Sequence, residues 1–156
     1  EQTLRRLFRT HIEEVAAWVP ATWRPAIEHT RAAYVTYQPD LAVPGAEATI
    51  KAFVQVATEA GLRHIVLLSG RGEQGAERAE AILRTSGLAW NIIRASWFCQ
   101  NFSESFMLDG ILDGELVLPA GDTLEPFIDA DDIADVAVAA LLEHVAGWGA
   151  NSRKQR

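Results

Sequence analysis

Apolar residues recur along this chain with two periods, and the alternation between them outlines an α/β fold. Leu4, Leu7, Phe8, Ile12, Val15 and Val19 come at three- and four-residue intervals, with Glu13, Glu14 and arginines between them. That spacing predicts an amphipathic helix ended by Pro20. Thr22 is placed to cap a second, short helix, with Pro25 in its first turn and Ile27 turned inward. Ala32–Tyr37 is rich in strand-forming residues and is closed by Pro39-Asp40. Pro44-Gly45 then opens a helix from about Ala46 to Ala60, with Ile50, Phe53, Val54 and Ala57 on one face and Gly61 as its stop.

The stretch from His64 to Phe102 carries the clearest signal. His64–Leu68 is an apolar strand closed by Ser69-Gly70. Ala76–Ser86 holds Ala79, Ile82 and Leu83 at helical spacing before Gly87, and Trp90–Ile93 is a second apolar run. Strand, crossover helix and strand make one right-handed unit, so the sheet is expected to be parallel and covered on both faces. Ligands of such sheets sit at the carboxyl ends of the strands. Here those ends are Ser69-Gly70-Arg71 and Arg94-Ala95-Ser96-Trp97.

Further on, Ser103–Leu112 reads as a helix broken by Gly110, Gly114–Pro119 as a short strand and Gly121-Asp122 as a turn. Pro126–Ile128 is extended, and Asp131-Asp132 is placed to cap an apolar helix over Ile133–Leu142. Gly147 and Gly149 are expected to end the ordered part. The predicted architecture is a single α/β domain over residues 1–156, with three parallel strands and a C-terminal annex.

Composition narrows the function. A chain of 156 residues, about half of them apolar, supports one globular core. A net charge of −7 argues against nucleic acid, and the only basic cluster is the tail Arg153-Lys154-Gln155-Arg156. One cysteine, Cys99, excludes an internal disulfide and points to a reducing compartment, the cytoplasm. No apolar run reaches membrane-spanning length and no signal peptide opens the chain, so no membrane partner is expected. His11, His29, His64 and His144 make no metal spacing, so no metal site is expected. Cys99 reads as a small buried residue rather than a nucleophile.

Gly70, Gly72 and Gly75 form a G-x-G-x-x-G between strand and helix. Such a turn is either a diphosphate cradle or an ordinary turn, and Glu73 inside it repels phosphate. The Ser69 hydroxyl is placed to reach a ligand carbonyl or to cap a helix. Arg71 suits a phosphate or carboxylate, or open solvent. Arg94 suits a structural ion pair or a ligand anchor. Ser96, Trp97 and Phe98 form a loop that suits a flat ring or fills the core.

Several phrases together resemble the NmrA-like family, an atypical branch of the short-chain dehydrogenase/reductase superfamily. They are Tyr34–Ala46, Ala60–Glu73, Arg94–Glu104, Leu118–Asp122 and Glu125–Val136, in family order from about Thr22 to Leu142. The resemblance implies a Rossmann-type sheet binding NADP or NAD, over a region 22–142 between the helix 1–20 and the tail 147–156. It implies that the three strands are the family's fourth, fifth and sixth. It places Tyr37, Pro39, Ser69, Gly70, Arg71, Arg94, Ala95, Ser96 and Trp97 at the cofactor and Phe98, Asn101 and Phe102 at the substrate. No glycine precedes Gly45, so the family's N-terminal glycine-rich turn has no counterpart, and the first predicted strand is expected to keep an open edge. The superfamily's Tyr-x-x-x-Lys pair is also missing, since neither Lys51 nor Lys154 follows a tyrosine at that spacing. The expected function is therefore NAD(P)-binding and oxidoreductase-like, truncated and impaired in catalysis. The alternatives are a non-catalytic dinucleotide sensor or interaction module, or an inactive remnant that self-associates as a homo-oligomer.

Overall fold

The computed structural model describes residues 19–105, 107–118 and 121–145. In chain order the elements are α1 (Pro20–Ile27), β1 (Ala32–Val35), α2 (Ala46–Glu59), β2 (His64–Gly70), α3 (Gln74–Arg84) and β3 (Ala89–Ala95). The annex follows: β4 (Trp97–Phe98), a 3₁₀ turn (Cys99–Phe102), α4 (Met107–Leu112), β5 (Phe127–Ile128) and α5 (Ala130–Val145). The helix expected over Leu4–Val19 lies outside the described residues except for Val19, which is extended and precedes α1; the chain end marked by Gly147 and Gly149 also lies outside them.

The main sheet has the order β1-β2-β3 and is parallel throughout, as the βαβ pattern requires. Ala32 pairs with His64 and His64 with Ala89, while Ser69 and Arg94 lie opposite each other at the far end. On one face α1, α2 and α3 cover a core built from Trp23, Ile50, Phe53, Ile65, Leu67 and Leu83. Trp23 meets Phe53 edge-on, with ring centroids 5.7 Å apart, the geometry their ring quadrupoles favour. Each such side chain contributes about 2 kcal/mol by leaving water. α5 contacts all three strands and buries Ile133 and Ala137 outside that first core. The sheet is thus layered between helices, and no helix among the described residues is long and apolar enough to cross a membrane.

Glycine ends the predicted helices where it was expected: Gly61 and Gly87 have φ of +82° and +80°, which a side chain would disfavour. Other boundaries move. α1 starts at Pro20, so the Thr22 hydroxyl donates back to the Val19 carbonyl at 2.8 Å instead of capping, and Pro25 sits inside the helix. Proline at the first position lacks only an N–H that the helix leaves unused. β1 ends at Val35, two residues short of Tyr37, ahead of the cis Gln38–Pro39 bond. Residues 103–105 are not helical; α4 begins at Met107 and runs through Gly110. Gly110 accepts the Glu115 amide at 2.8 Å, and a Cβ there would sit 2.7 Å from the Glu115 carbonyl oxygen. It serves close approach, not a break. Residues 115–118 form no strand, because no neighbouring strand offers them a ladder.

Candidate functional site

Three parallel strands deliver three loops to one end of the sheet. From β1 come Tyr37, half-buried, and Pro39, exposed; from β2 come Gly70 and Arg71; from β3 come Ala95, Ser96 and Trp97. The Arg71 amide donates to the Ala95 carbonyl at 2.9 Å, so pairing continues one residue past β2 and holds the two loops together. The Arg71 side chain is exposed at this edge. Phe98, Asn101 and Phe102 follow on β4 and the 3₁₀ turn, all half-buried. Phe127 of β5 closes the group, edge-on to Trp97 at 6.1 Å and tilted against Phe102 at 4.9 Å. The result is a shelf of aromatic rings beside the carboxyl ends of the main sheet.

Ser69 and Arg94 belong to a different constellation. Side chains alternate along a strand, so both project toward α3 and meet Glu80, a residue only 1% exposed. The Ser69 hydroxyl donates to Glu80 Oε1 at 2.7 Å. Arg94 donates from Nε to Oε1 at 2.9 Å and from Nη2 to Oε2 at 2.6 Å, a two-pronged pair. Arg84 reaches Oε2 at 3.4 Å and lies over the Trp90 ring at 4.8 Å. Burial alone would push the Glu80 carboxyl up, but the bonds from Arg94 and Ser69, the Arg94 charge and the bond from Arg84 outweigh it and hold it below the usual range. Ser69 therefore caps no helix, and the Arg94 guanidinium is engaged in an ion pair. The sequence signal for Glu80 was present: it stands on the inward face set by Ala76, Ala79 and Leu83, where a carboxylate demands partners.

The glycine-rich turn is an ordinary turn. The Glu73 carboxylate lies directly over the Cα of Gly70, and Gly75 packs on the backbone of Ala42. Burial and the neighbouring charge of Asp40 raise the Glu73 pKa. A diphosphate would meet a carboxylate there instead of open amides, so these residues do not fit a phosphate cradle. Tyr34 projects from the middle of β1, and burial pushes its pKa up to about 12.

The annex is held by Gln100, which the sequence did not single out, and by Asp129, which resembles a metal ligand in sequence only superficially. Gln100 donates from Nε2 to Asp129 Oδ1 at 2.9 Å and accepts the Ala130 amide at 3.0 Å. The same Asp129 oxygen accepts the Asp131 amide at 2.8 Å. Asp129, not Asp131 or Asp132, caps α5, because the helix starts at Ala130, three residues earlier than the apolar pattern suggested. The amide bonds from Asp131 and Gln100 lower its pKa. Cys99, expected to be buried, is exposed. His64 is buried at the start of β2, its Nε2 2.7 Å from Asn91 Oδ1.

A parallel sheet with crossover helices and polar loops at its carboxyl ends is a Rossmann-type α/β arrangement. The fold is that of the short-chain dehydrogenases/reductases. A solved short-chain dehydrogenase/reductase from Veillonella parvula, in complex with NADP, matches 80% of this chain and 60% of its own length, with a TM-score of 0.52 and 14% identity. No protein-family profile matches the chain. By sequence it is 29% identical over 126 residues to prestalk A differentiation protein A of Dictyostelium discoideum, covering 80% of this chain and 41% of that one. It is 31% identical over 113 residues to festuclavine dehydrogenase of Aspergillus fumigatus, covering 69% and 37%. It is 31% identical over 100 residues to an NAD(P)H azoreductase of Xenophilus azovorans, covering 58% and 34%. The chain thus spans between 34% and 41% of the length of these relatives, among which are oxidoreductases.

Proposed function

We propose that this chain is the NAD(P)-binding part of an oxidoreductase-like protein of NmrA-like type, its site formed by the loops after β1, β2 and β3. One observation carries the reading: Tyr37 and Pro39, Gly70 and Arg71, and Ala95–Trp97 meet at the carboxyl end of one parallel sheet, where nucleotides bind in such folds. The NADP-bound short-chain dehydrogenase/reductase that shares this fold supports NADP as ligand, with NAD as the alternative. The residues fit the nicotinamide and ribose half of the dinucleotide and not its diphosphate, because Glu73 fills the space over Gly70. When bound, the cofactor supplies hydride chemistry. This chain's part is to seat the ring beside Trp97, to offer Arg71 to an anionic group, and to hold an apolar, flat substrate on Phe98, Asn101 and Phe102. Ser69 and Arg94 act as positioning residues through Glu80.

A second reading, binding without turnover, rests on Tyr34. An acid–base tyrosine needs a lowered pKa, which a neighbouring lysine provides; burial moves Tyr34 the other way, to about 12. Titration calorimetry with NADPH, and with NADH for comparison, tests both readings. Saturable one-to-one binding weakened about tenfold by Arg71→Ala supports the site. Absence of heat at millimolar cofactor overturns it. If binding holds, the oxidation of NADPH by a quinone or an azo compound, followed at 340 nm, separates an enzyme from a sensor.

A further inference from the structure

Phe127 is a ring that the sequence did not bring to the site. It comes from β5, a strand of two residues, and its centroid lies 6.1 Å from that of Trp97 and 4.9 Å from that of Phe102. The interplanar angles are 85° and 49°, so the three rings meet by edge and tilt and do not stack face to face. Phe127 is 40% exposed, and Trp97 and Phe102 are half-buried. Aromatic surface therefore stays open at a ligand-type edge. A flat ring gains there by aromatic contact, and a cation gains from the negative faces of the rings.

Charge decides the kind of ring. From Ala95 to Val145 the chain carries eleven aspartates and glutamates and no lysine or arginine, whereas residues 19–94 carry eight basic and seven acidic side chains. Glu104 follows Phe102 by two residues, and Glu125 and Asp129 flank Phe127 at the same spacing. Glu104 and Glu125 are exposed. The bonds from Asp131 and Gln100 favour the ionised form of Asp129. The annex is thus a field of one sign, which draws cations and repels anions over a Debye length, about 10 Å at 0.1 M salt. Arg71, exposed on the main-sheet side, presents the opposite sign. We propose that the shelf of Trp97, Phe102 and Phe127 takes a planar aromatic cation as substrate, with Phe127 as the residue that sets this specificity. The proposal deepens the function above and rests on it for the role of substrate: an anionic group goes to Arg71 and the cationic ring to the annex.

Equilibrium dialysis of the full chain without cofactor tests it, with three acridines that share one ring system: cationic 9-aminoacridine, neutral acridine and anionic acridine-9-carboxylate. The cation is expected to bind about tenfold tighter than the neutral ring, and the anion not at all. The cation's advantage is expected to vanish at about 1 M salt, where the Debye length is about 3 Å. Phe127→Leu keeps an apolar side chain without the ring and is expected to weaken 9-aminoacridine about tenfold, while Phe127→Tyr restores it. Glu104→Gln/Glu125→Gln is expected to cut the preference for the cation about threefold and to leave the affinity for acridine unchanged, which a loosened annex would not do. Equal affinity for the three acridines overturns the proposal. So does cation binding that Phe127→Leu leaves unmoved, which marks adsorption to the acidic surface at large. Binding of no acridine overturns it as well and leaves the cofactor reading standing. Binding of 9-aminoacridine through Phe127 by a chain that gives no heat with NADPH keeps the aromatic-cation site and overturns the cofactor reading instead.

Discussion

Glu80 fastens the carboxyl ends of β2 and β3 to α3 through a single buried carboxylate, with Ser69 and Arg94 as its partners. Its pKa is lowered in the folded state, so its contribution is complete above the ordinary glutamate value of about 4.3 and is lost as pH falls through the lower folded value. Glu80→Ala removes the anchor and leaves the Ser69 hydroxyl buried. Because the Arg94 side chain is nearly half exposed, the cost is about 2 kcal/mol, less than for a fully buried pair. Urea unfolding at pH 7 measures that loss, and the same titration between pH 5 and 3 follows the acid limb, which the variant flattens. Glu73 carries the opposite sign. Its pKa is raised by burial and by Asp40, so its stabilising, protonated form is fully present below the ordinary value and is lost as pH rises through the folded one. Glu73→Gln is expected to melt higher than the parent at pH 7 and to match it near pH 4, as thermal unfolding at the two pH values shows.

At the scale of elements, the β4–β5 pair is held to the start of α5 by few hydrogen bonds, whereas α5 itself packs on all three strands of the main sheet. β4 and β5 pair over only two residues each, and Gln100 ties the turn after β4 to the start of α5. Gln100→Ala removes both of those bonds, at a cost of about 1 kcal/mol each. Amides of β4, β5 and the first turn of α5 are then expected to exchange faster, while β2 keeps its protection; loss of protection throughout the sheet would show that the annex is not a separate unit. The two-residue pairing also explains why this region was the hardest to read. Apolar alternation over Gly114–Pro119 has the look of a strand, but a strand exists only where a partner offers its edge. The apolar run over Ile133–Leu142 marked α5 correctly, yet it could not show that Asp129, reached by Gln100, starts the helix.

For the molecule as a whole, the chain presents a sheet with a ligand-type edge while spanning between 34% and 41% of the length of relatives it resembles. If the loops after β1, β2 and β3 bind NADPH, the folded state alone gains from it. At a hundredfold excess over Kd the gain is about 2.7 kcal/mol, which for this size raises Tm by roughly 5–10 °C. A thermal shift that saturates with NADPH and disappears in Arg71→Ala is the expected result. β1 stands at the edge of the sheet among the described residues, and sedimentation tests whether that edge pairs with a second chain, as the alternative expectation of self-association requires.

Local pattern alone determined the main elements. The continuous apolar runs at His64 and Trp90, the helical spacing of Ile50, Phe53, Val54 and Ala57, and the stops at Gly61 and Gly87 all follow from short-range rules of backbone and burial. Parallel pairing followed as well, since a crossover helix leaves little choice. Tertiary structure alone decided which way the polar groups at the strand ends would be used. Ser69 and Gly70 are neighbours, yet one turns to Glu80 and the other lies under Glu73. Spacing along a chain records which residues share a face. It does not record which buried charge on another element will claim their hydrogen bonds, because that depends on what folding brings within 3 Å.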